Sequence, residues 1–501
     1  MKIRVLIPLL VLASPVGAQE RIDLSMIAKI RSEGLERSHV VQMFDTIATV
    51  IGPRLTASVA YLRAANFAKQ KFAEFGARDA RLEPWPFGRG WELDRFSIEM
   101  IEPRYMPLLG FPEAWSPSTP GEIVATPVLT AGKSASDVER LAGTIKGGIV
   151  MPQGLMANFI TSDRIQPTDP AAPPAVAPTT RLPSCTPRPP AGAANPAGGR
   201  GGAGGQSPDA QRIAQLISDA SPAVRLTATR GLHGSLFLQG GRYNAQPAST
   251  NVVLAAEHYN MIVRLVENGV PVKLRVNSQS RFSDRDTNGY NIVAEIPGTD
   301  PRLRDQIVMA GAHLDSWHSS LGAADNADGA AVMLEVMRIL KAVGVQPRRT
   351  IRIALWGGEE EGLLGACAWT RQHLASDSVA RSKMSLYLNM DPGTGPIFGF
   401  YMEGNDQAKA IFDAWLDPFK DLGYRKNIIS GIGSTDHLTF INQGVPGFNP
   451  IQDYTDYDTR IHHTNWDSPE RVPVAGLKAA AVIYASLLYH AAMRDEMIPR
   501  K

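Results

Sequence analysis

The chain has few cysteines and no large excess of positive or negative charge. The 501 residues contain two cysteines, Cys185 and Cys367, which is too few for a disulfide framework, so the fold must depend on its hydrophobic core. A buried, inert thiol is the default expectation for Cys367, and a Cys185–Cys367 pair is left open. The 51 Lys and Arg residues face 49 Asp and Glu residues, with no basic cluster. This balance argues against nucleic acid or an anionic membrane as a partner.

Long uninterrupted apolar runs are also missing near the start of the chain. Residues 5–13 are apolar, which is too short to span a bilayer, and they follow Lys2 and Arg4. Small residues at 16–18 complete the pattern of a secretory signal over residues 1–18. We therefore expect a secreted or periplasmic protein that begins near Gln19 and has no stable membrane insertion.

Aromatic residues are absent from residues 166–208, a stretch rich in Pro, Ala and Gly. Such a composition offers little apolar area to offset the entropy of ordering, and it predicts a disordered loop. Short β-like runs separated by Gly, Pro and Ser surround it. They predict an inserted β-rich domain over residues 120–280, between the two parts, 19–119 and 281–501, of a larger domain.

An alternation of strands and helices marks the second of these parts. Strands are predicted at Gln306–Ala310, Thr350–Trp356 and Ser385–Met390, with an amphipathic helix at Ala330–Val343. The final segment, Ala475–Met493, is apolar but contains Lys478 and His490, so a core helix is favoured over a membrane span. The fold class is therefore α/β, with a mixed, largely parallel sheet flanked by helices.

Residues of types that often bind metals follow each of these strands. His313 follows the first strand, Glu359 and Glu360 follow the second, and Asp391 follows the third. In open parallel sheets, ligands bind beyond the carboxyl ends of the strands. The pattern predicts one site at this edge, where imidazole and carboxylate groups would hold divalent cations.

Further candidates lie close to these residues in the chain. Asp315, two residues after His313, could hold the second nitrogen of its ring. Asp325 begins a helix after three small residues, although an acid there is also a common helix cap. The pair His462-His463 lies near the end of the chain, and Glu359 beside Glu360 offers a base that takes a proton from water.

Taken together, these motifs resemble the co-catalytic di-zinc exopeptidases, a family that includes secreted aminopeptidases and glutamate carboxypeptidases. Within that family the chain is most similar to the plasma glutamate carboxypeptidase group. The resemblance covers most of residues 285–500 and depends on motifs in a fixed order: His313-Leu314-Asp315, Asp325-Asn326, Glu359-Glu360-Glu361-Gly362-Leu363, Asn389-Met390-Asp391 and His463-Thr464-Asn465-Trp466-Asp467.

The resemblance implies two zinc ions and a role for each residue. His313 and Asp391 would hold one ion, Glu360 and His463 the other, and Asp325 would bridge both. Glu359 would be the general base in the hydrolysis of short peptides or dipeptides by metal-activated water. The resemblance further implies that Asp315 orients His313, that His462 steadies the oxyanion, that Asp436 and His437 contact substrate, and that the insertion is a protease-associated domain.

Two other functions remain open from the sequence. One is a non-catalytic binding protein on the same scaffold, which loss of the ligands would reveal, and all five are present here. The other is an acyltransferase of the glutaminyl cyclase type, which resembles the family but binds a single zinc. Amino- or carboxy-terminal specificity, residue preference, the native metal, homodimer formation and the role of residues 166–208 are also left open.

Overall fold

The structure of the protein is a computed structural model that describes residues 20–178, 183, 185, 207–238 and 247–501. The predicted signal segment, residues 1–18, lies outside the described residues.

A seven-stranded mixed sheet forms the centre of the larger domain. Its four adjacent inner strands are parallel, and the strands at both edges run antiparallel to their neighbours. In spatial order the strands are Arg78–Pro86, Asn288–Ile296, Thr350–Trp356, Ile307–His313, Met384–Asn389, Gly447–Asp453 and Thr394–Tyr401. The predicted α/β class with a mixed, largely parallel sheet is confirmed.

Helices cover both faces of this sheet, so its strands are buried on both sides. In the strand Thr350–Trp356, the side chains of Ile351 and Ile353 join the larger core, while Ala354 and Trp356 join a second core on the opposite face. The larger core is completed by the helices Leu24–Glu36, Val40–Asp45, Val59–Glu74, Asp328–Ala342, Asp406–Leu416 and Val474–Met493. The second core includes residues of Leu364–Thr370 and His437–Ile441.

The last helix, Val474–Met493, is long and apolar enough to cross a membrane. Of its most apolar window, 83% is buried within the protein, where it packs against the helices Leu24–Glu36 and Asp328–Ala342. It is a core helix, as the sequence predicts.

The inserted region is built from two smaller sheets with a separate apolar core. One sheet is antiparallel and contains Met106–Pro107, Gly90–Glu102, Lys273–Ser283 and Ile123–Ala125. The other contains Gly110–Pro112, Thr250–Leu254, Val224–Ala228, Ile149–Met151 and Pro127–Leu129. Helices at Ala135–Arg140, Ala142–Ile145, Pro208–Asp219 and Ala256–Glu267 accompany these strands.

This region begins earlier than the boundary predicted at residue 120. The strand Gly90–Glu102 pairs along its length with Lys273–Ser283, so the insertion extends over about residues 90–283. The cause is long-range pairing, because nothing in the local sequence of Gly90–Glu102 shows where its partner strand lies. Its identity as a protease-associated domain stays a prediction.

A strap, residues 163–178, leaves the insertion and runs over the larger domain. Gln166 Nε2 donates to the carbonyl of Gln452 at 2.6 Å, and Asp169 forms an ion pair with Arg425 at 2.7 Å. Residues 166–178, the first part of the predicted disordered loop 166–208, thus have polar contacts with the larger domain. Most of residues 179–206 lie outside the described residues.

Cys185, beyond the strap, forms a disulfide with Cys367 of the helix Leu364–Thr370, with a Cα–Cα distance of 5.1 Å. The expectation of a buried, unpaired Cys367 is wrong, because the chain brings the two thiols together across 182 residues of sequence.

Candidate metal centre

Three parallel neighbouring strands deliver the first candidate residues to one edge of the main sheet. His313 is the last residue of its strand and lies opposite Trp356 in the ladder, three residues before Glu359. Asp391 follows the strand Met384–Asn389 on the other side of His313. Because the strands are parallel, their carboxyl ends meet, and the side chains that follow share one crevice.

Four of the five predicted ligands are linked by short contacts. Asp325 is central: Oδ1 lies 3.1 Å from His313 Nε2, and Oδ2 lies 3.3 Å from His463 Nε2. The same His463 nitrogen lies 2.8 Å from Glu360 Oε2. Asp391 completes the set, since ligand atoms of His313, Asp325 and Asp391 all lie within 4.8 Å of one another. The structure thus brings all five residues together around Asp325.

The donor atoms of this cluster fit a metal site. Among the described residues, His313 Nε2, Asp325 Oδ2 and both carboxylate oxygens of Glu360 are buried without a hydrogen bond. Buried polar atoms without partners are costly, and a shared divalent cation would satisfy them together. Nitrogen and carboxylate donors in this mixture suit zinc.

Two further carboxylates hold the ligand-bearing loops in place. Asp315 accepts hydrogen bonds from the backbone N–H groups of Glu359 and Glu360, at 3.3 and 3.2 Å. Asp467 accepts from the backbone N–H groups of Ala324 and Asp325, at 2.7 and 3.1 Å. Each carboxylate therefore fixes the main chain beside a candidate ligand.

The predicted contact between Asp315 and His313 takes a different form. His313 Nδ1 lies 3.0 Å from the main-chain oxygen of Asp315, and 3.7 Å from its carboxylate. The ring is held through the backbone, which leaves the carboxylate to bind the glutamate loop.

Burial dominates the electrostatics of the acidic residues. Burial raises the pKa of Glu359 well above the ordinary value of a glutamate, and the charges of Asp391 and Asp436 add to this. Burial, followed by the charge of Asp325, also raises the pKa of Glu360 and brings that of Asp467 to about 7. Such a concentration of buried acids favours the binding of cations.

His462 lies beside the cluster, between two rings. Its ring centroid is 5.3 Å from that of Tyr457 in a stacked arrangement and 3.8 Å from that of His463. Burial and the neighbouring His463 lower the pKa of His462 to about 3, so the ring is neutral. One of its ring nitrogens lies within 4.8 Å of ligand atoms of Asp325 and His463.

The two predicted substrate contacts are fully enclosed. Asp436 and His437 both have 0% of their surface exposed. His437 Nε2 lies 3.1 Å from Glu403 Oε1, while the Asp436 carboxylate has no hydrogen bond among the described residues. Their role as substrate contacts stays a prediction.

The insertion holds the loop that carries the histidine pair, a contact that sequence reasoning missed. Arg164 forms an ion pair with Asp458 and lies over the rings of Tyr454 and Tyr457. Asp163 accepts from the backbone N–H groups of Asp456 and Thr459, both at 2.9 Å.

A second segment of the insertion contacts the same loop from residues 236–238. Leu238 N donates to the carbonyl of His463 at 2.9 Å, and Leu236 N donates to Asn465 Oδ1 at 2.7 Å. His463 has φ +59°, a left-handed conformation that is uncommon for a histidine and needs such support. These contacts join residues distant in sequence, so no local pattern could have revealed them.

Comparisons with known proteins agree with this architecture. Human carboxypeptidase Q is 26% identical to this chain over 483 residues, covering 96% of this chain and 90% of the human protein. A peptidase M28 precursor from Shewanella amazonensis shares the fold with a TM-score of 0.67 at 20% identity, covering 95% of this chain and 98% of that one. A zinc aminopeptidase from Bacillus subtilis has a TM-score of 0.57 at 16% identity, with coverages of 91% and 95%. The model of peptidase family M28 matches residues 291–488, the segment with all five candidate ligands.

Proposed function

We propose that this protein is a secreted zinc exopeptidase that hydrolyses the peptide bonds of short peptides or dipeptides. One observation carries the proposal: five side chains of metal-binding type, Asp325 among them, converge, and several of their buried donor atoms have no hydrogen bond within the described part of the chain. The match of residues 291–488 to a peptidase family model supports the reaction class. The names of the similar carboxypeptidase and zinc aminopeptidase support zinc and a peptide substrate.

The proposal assigns two zinc ions to the cluster. His313 and Asp391 would hold one, Glu360 and His463 the other, and Asp325 would contribute to both. The contacts of Asp325 support this division, because Oδ1 faces His313 and Oδ2 faces His463. When bound, such ions act as Lewis acids that polarise a peptide carbonyl and lower the pKa of water.

Glu359 is the proposed general base. It takes a proton from the water that attacks the scissile carbonyl, and it returns that proton to the nitrogen of the leaving amine as the C–N bond breaks. Its position supports this role, since Asp315 anchors its backbone N–H and its side chain is buried beside His313 and Asp391. His462, neutral and stacked against Tyr457, is the proposed donor to the oxyanion.

Secretion has two supports. Residues 1–18 have the pattern of a signal segment. The Cys185–Cys367 disulfide is the type of bond that persists in oxidising compartments.

Metal analysis combined with a small substrate panel tests the proposal. We expect two zinc ions per chain, and hydrolysis of free dipeptides that a chelator abolishes and added zinc restores. Amino-blocked peptides and aminoacyl chromogens in the same panel assign terminal specificity. Activity that is insensitive to the chelator would refute the proposal, and one zinc per chain with cyclising activity would favour the acyltransferase.

A further inference from the structure

Arg54 lies fully buried beneath the metal centre, with 0% of its surface exposed. Its guanidinium donates five hydrogen bonds, all of them to main-chain carbonyl oxygens. Three of the acceptors are Leu314, Leu321 and Gly322, at 2.8, 2.9 and 2.8 Å. The other two are Ile47, in the short helix Thr46–Ile51, and Gly52, which follows that helix.

The three distant acceptors share one loop, residues 314–322, which connects two of the candidate ligands. His313 comes directly before this loop, and Asp325 follows three residues after it. The main chain of Arg54 holds the same loop, because Arg54 N donates to Ser316 Oγ at 3.0 Å and Ser316 N donates to the Arg54 carbonyl at 3.2 Å. Arg54 therefore contacts the loop at both ends.

The two ends of the loop also pack closely against each other and against Arg54. Gly322 has φ +57°, and a Cβ there would lie 2.3 Å from Ser316 Cβ and 3.0 Å from Arg54 Nη2. The position of Gly322 relative to Ser316 thus depends on the space that the guanidinium leaves.

Arg54 also brings a positive charge close to the buried acids. Burial lowers its pKa to about 10, while Asp467, Asp315, Asp325 and Glu360 act in the opposite direction, so the group stays charged at neutral pH. Two of these acids are candidate ligands, and the other two hold the ligand loops.

A second buried arginine of the same chain provides a comparison. Arg349 is 1% exposed, and burial lowers its pKa to about 10 as well. It donates to Gln306 Oε1 and to the carbonyls of Ala491, Arg494 and Asp495. Both guanidinium groups are buried and donate mainly to main-chain carbonyls, but Arg349 links strand and helix ends away from the metal ligands.

We propose that Arg54 is a positioning residue of the metal centre: it fixes the loop between His313 and Asp325 and supplies a permanent cation beneath the acidic cluster. The inference rests on the proposed zinc site. It implies that removing the guanidinium weakens metal binding beyond its effect on folding stability.

Matched substitutions at the two arginines test this. Arg54→Lys and Arg349→Lys keep the positive charge but remove the planar guanidinium and its several N–H donors. Arg54→Met and Arg349→Met remove both the charge and the donors. For each variant, zinc affinity is measured by competition with a chelating dye, thermal unfolding is followed with and without zinc, and kcat and KM are determined on a dipeptide.

We expect both lysine variants to lower the unfolding temperature of the metal-free protein to a similar extent. Arg54→Lys should in addition weaken zinc affinity about tenfold or more, the range seen when residues behind metal ligands are changed. Arg54→Met should weaken it further, with the loss in kcat rather than in KM. The Arg349 variants should keep the zinc affinity and the kcat of the wild type.

Equal zinc affinity in Arg54→Lys and Arg349→Lys would overturn the proposal. If the Arg54 variants do not fold, Ser316→Ala tests the proposal instead. This variant removes the hydrogen bond from Arg54 N to Ser316 Oγ but keeps the guanidinium. Unchanged zinc affinity in Ser316→Ala would then overturn the proposal. Failure of the wild-type protein to bind zinc would instead refute the proposed function, so the two failures are distinguishable.

Discussion

The main sheet and the insertion both reach the candidate metal centre, but they contribute different things to it. The sheet places all five candidate ligands, on loops that follow its parallel strands. The insertion supplies hydrogen bonds and an ion pair to the loop that carries His462 and His463. The two regions therefore differ in role: the sheet provides the candidate ligands, and the insertion fixes the position of His463.

The largest effect is expected within the sheet, at Glu359. Glu359→Gln keeps the shape of the side chain but cannot accept the proton of the attacking water, so kcat should fall about 10²- to 10⁴-fold. Zinc content, measured by elemental analysis, should stay that of the wild type. Glu361→Gln is the control, because it changes a buried glutamate of the same loop and should alter kcat less than about tenfold. Equal activity of the two variants would contradict the assignment.

Loss of metal is the next expected effect. Asp325→Asn removes the charge from the carboxylate that faces both His313 and His463, and we expect fewer than two zinc ions per chain after dialysis. Asp328→Asn changes another buried acid three residues later and should retain the metal. Full zinc content in Asp325→Asn would show that this residue does not bridge the ions.

A smaller effect is expected in the insertion, at Arg164. Arg164→Gln removes the ion pair with Asp458 and the contacts with Tyr454 and Tyr457, so the histidine loop should loosen and zinc affinity should fall about tenfold. Arg281→Gln is the matched control, because it removes exposed ion pairs of the insertion, with Glu92 and Asp94, and should keep the zinc affinity of the wild type. If both variants bind zinc like the wild type, the insertion does not position the ligand.

The smallest effect on activity is expected at the disulfide. Replacing Cys185 and Cys367 with serine releases the segment beyond the strap from the larger domain but leaves the ligand loops untouched. The free energy of unfolding should fall by about 2 to 4 kcal/mol, and kcat should change less than threefold, a margin roughly equal to 0.6 kcal/mol. Chemical denaturation and a dipeptide assay measure the two quantities. A large loss of kcat would show that the disulfide acts on the site.

The sequence reveals the sheet and its site well, for a physical reason. Strands such as Thr350–Trp356 are buried on both faces and therefore read as continuous apolar runs, and the residues directly after them must meet at one edge. His313, Glu360 and Asp391 could be predicted from this rule alone. The place of Asp325 between both histidines does not follow from this rule, and only the family resemblance implied it.

Features that depend on distant contacts could not be predicted. The strand Thr394–Tyr401 is interrupted by Gly and Pro, and its strand character comes from pairing with Gly447–Asp453. The true start of the insertion, the Cys185–Cys367 bond and the contacts of Arg54 likewise join segments far apart in the chain. The local composition of a segment does not indicate which distant segment it contacts.

Anomalous diffraction at the zinc absorption edge, from crystals of the zinc-loaded protein, tests the central claim most directly. The account predicts two peaks on either side of the Asp325 carboxylate, one beside His313 and Asp391 and the other beside Glu360 and His463. The absence of a peak at Asp325, or peaks bound by other residues, would contradict it.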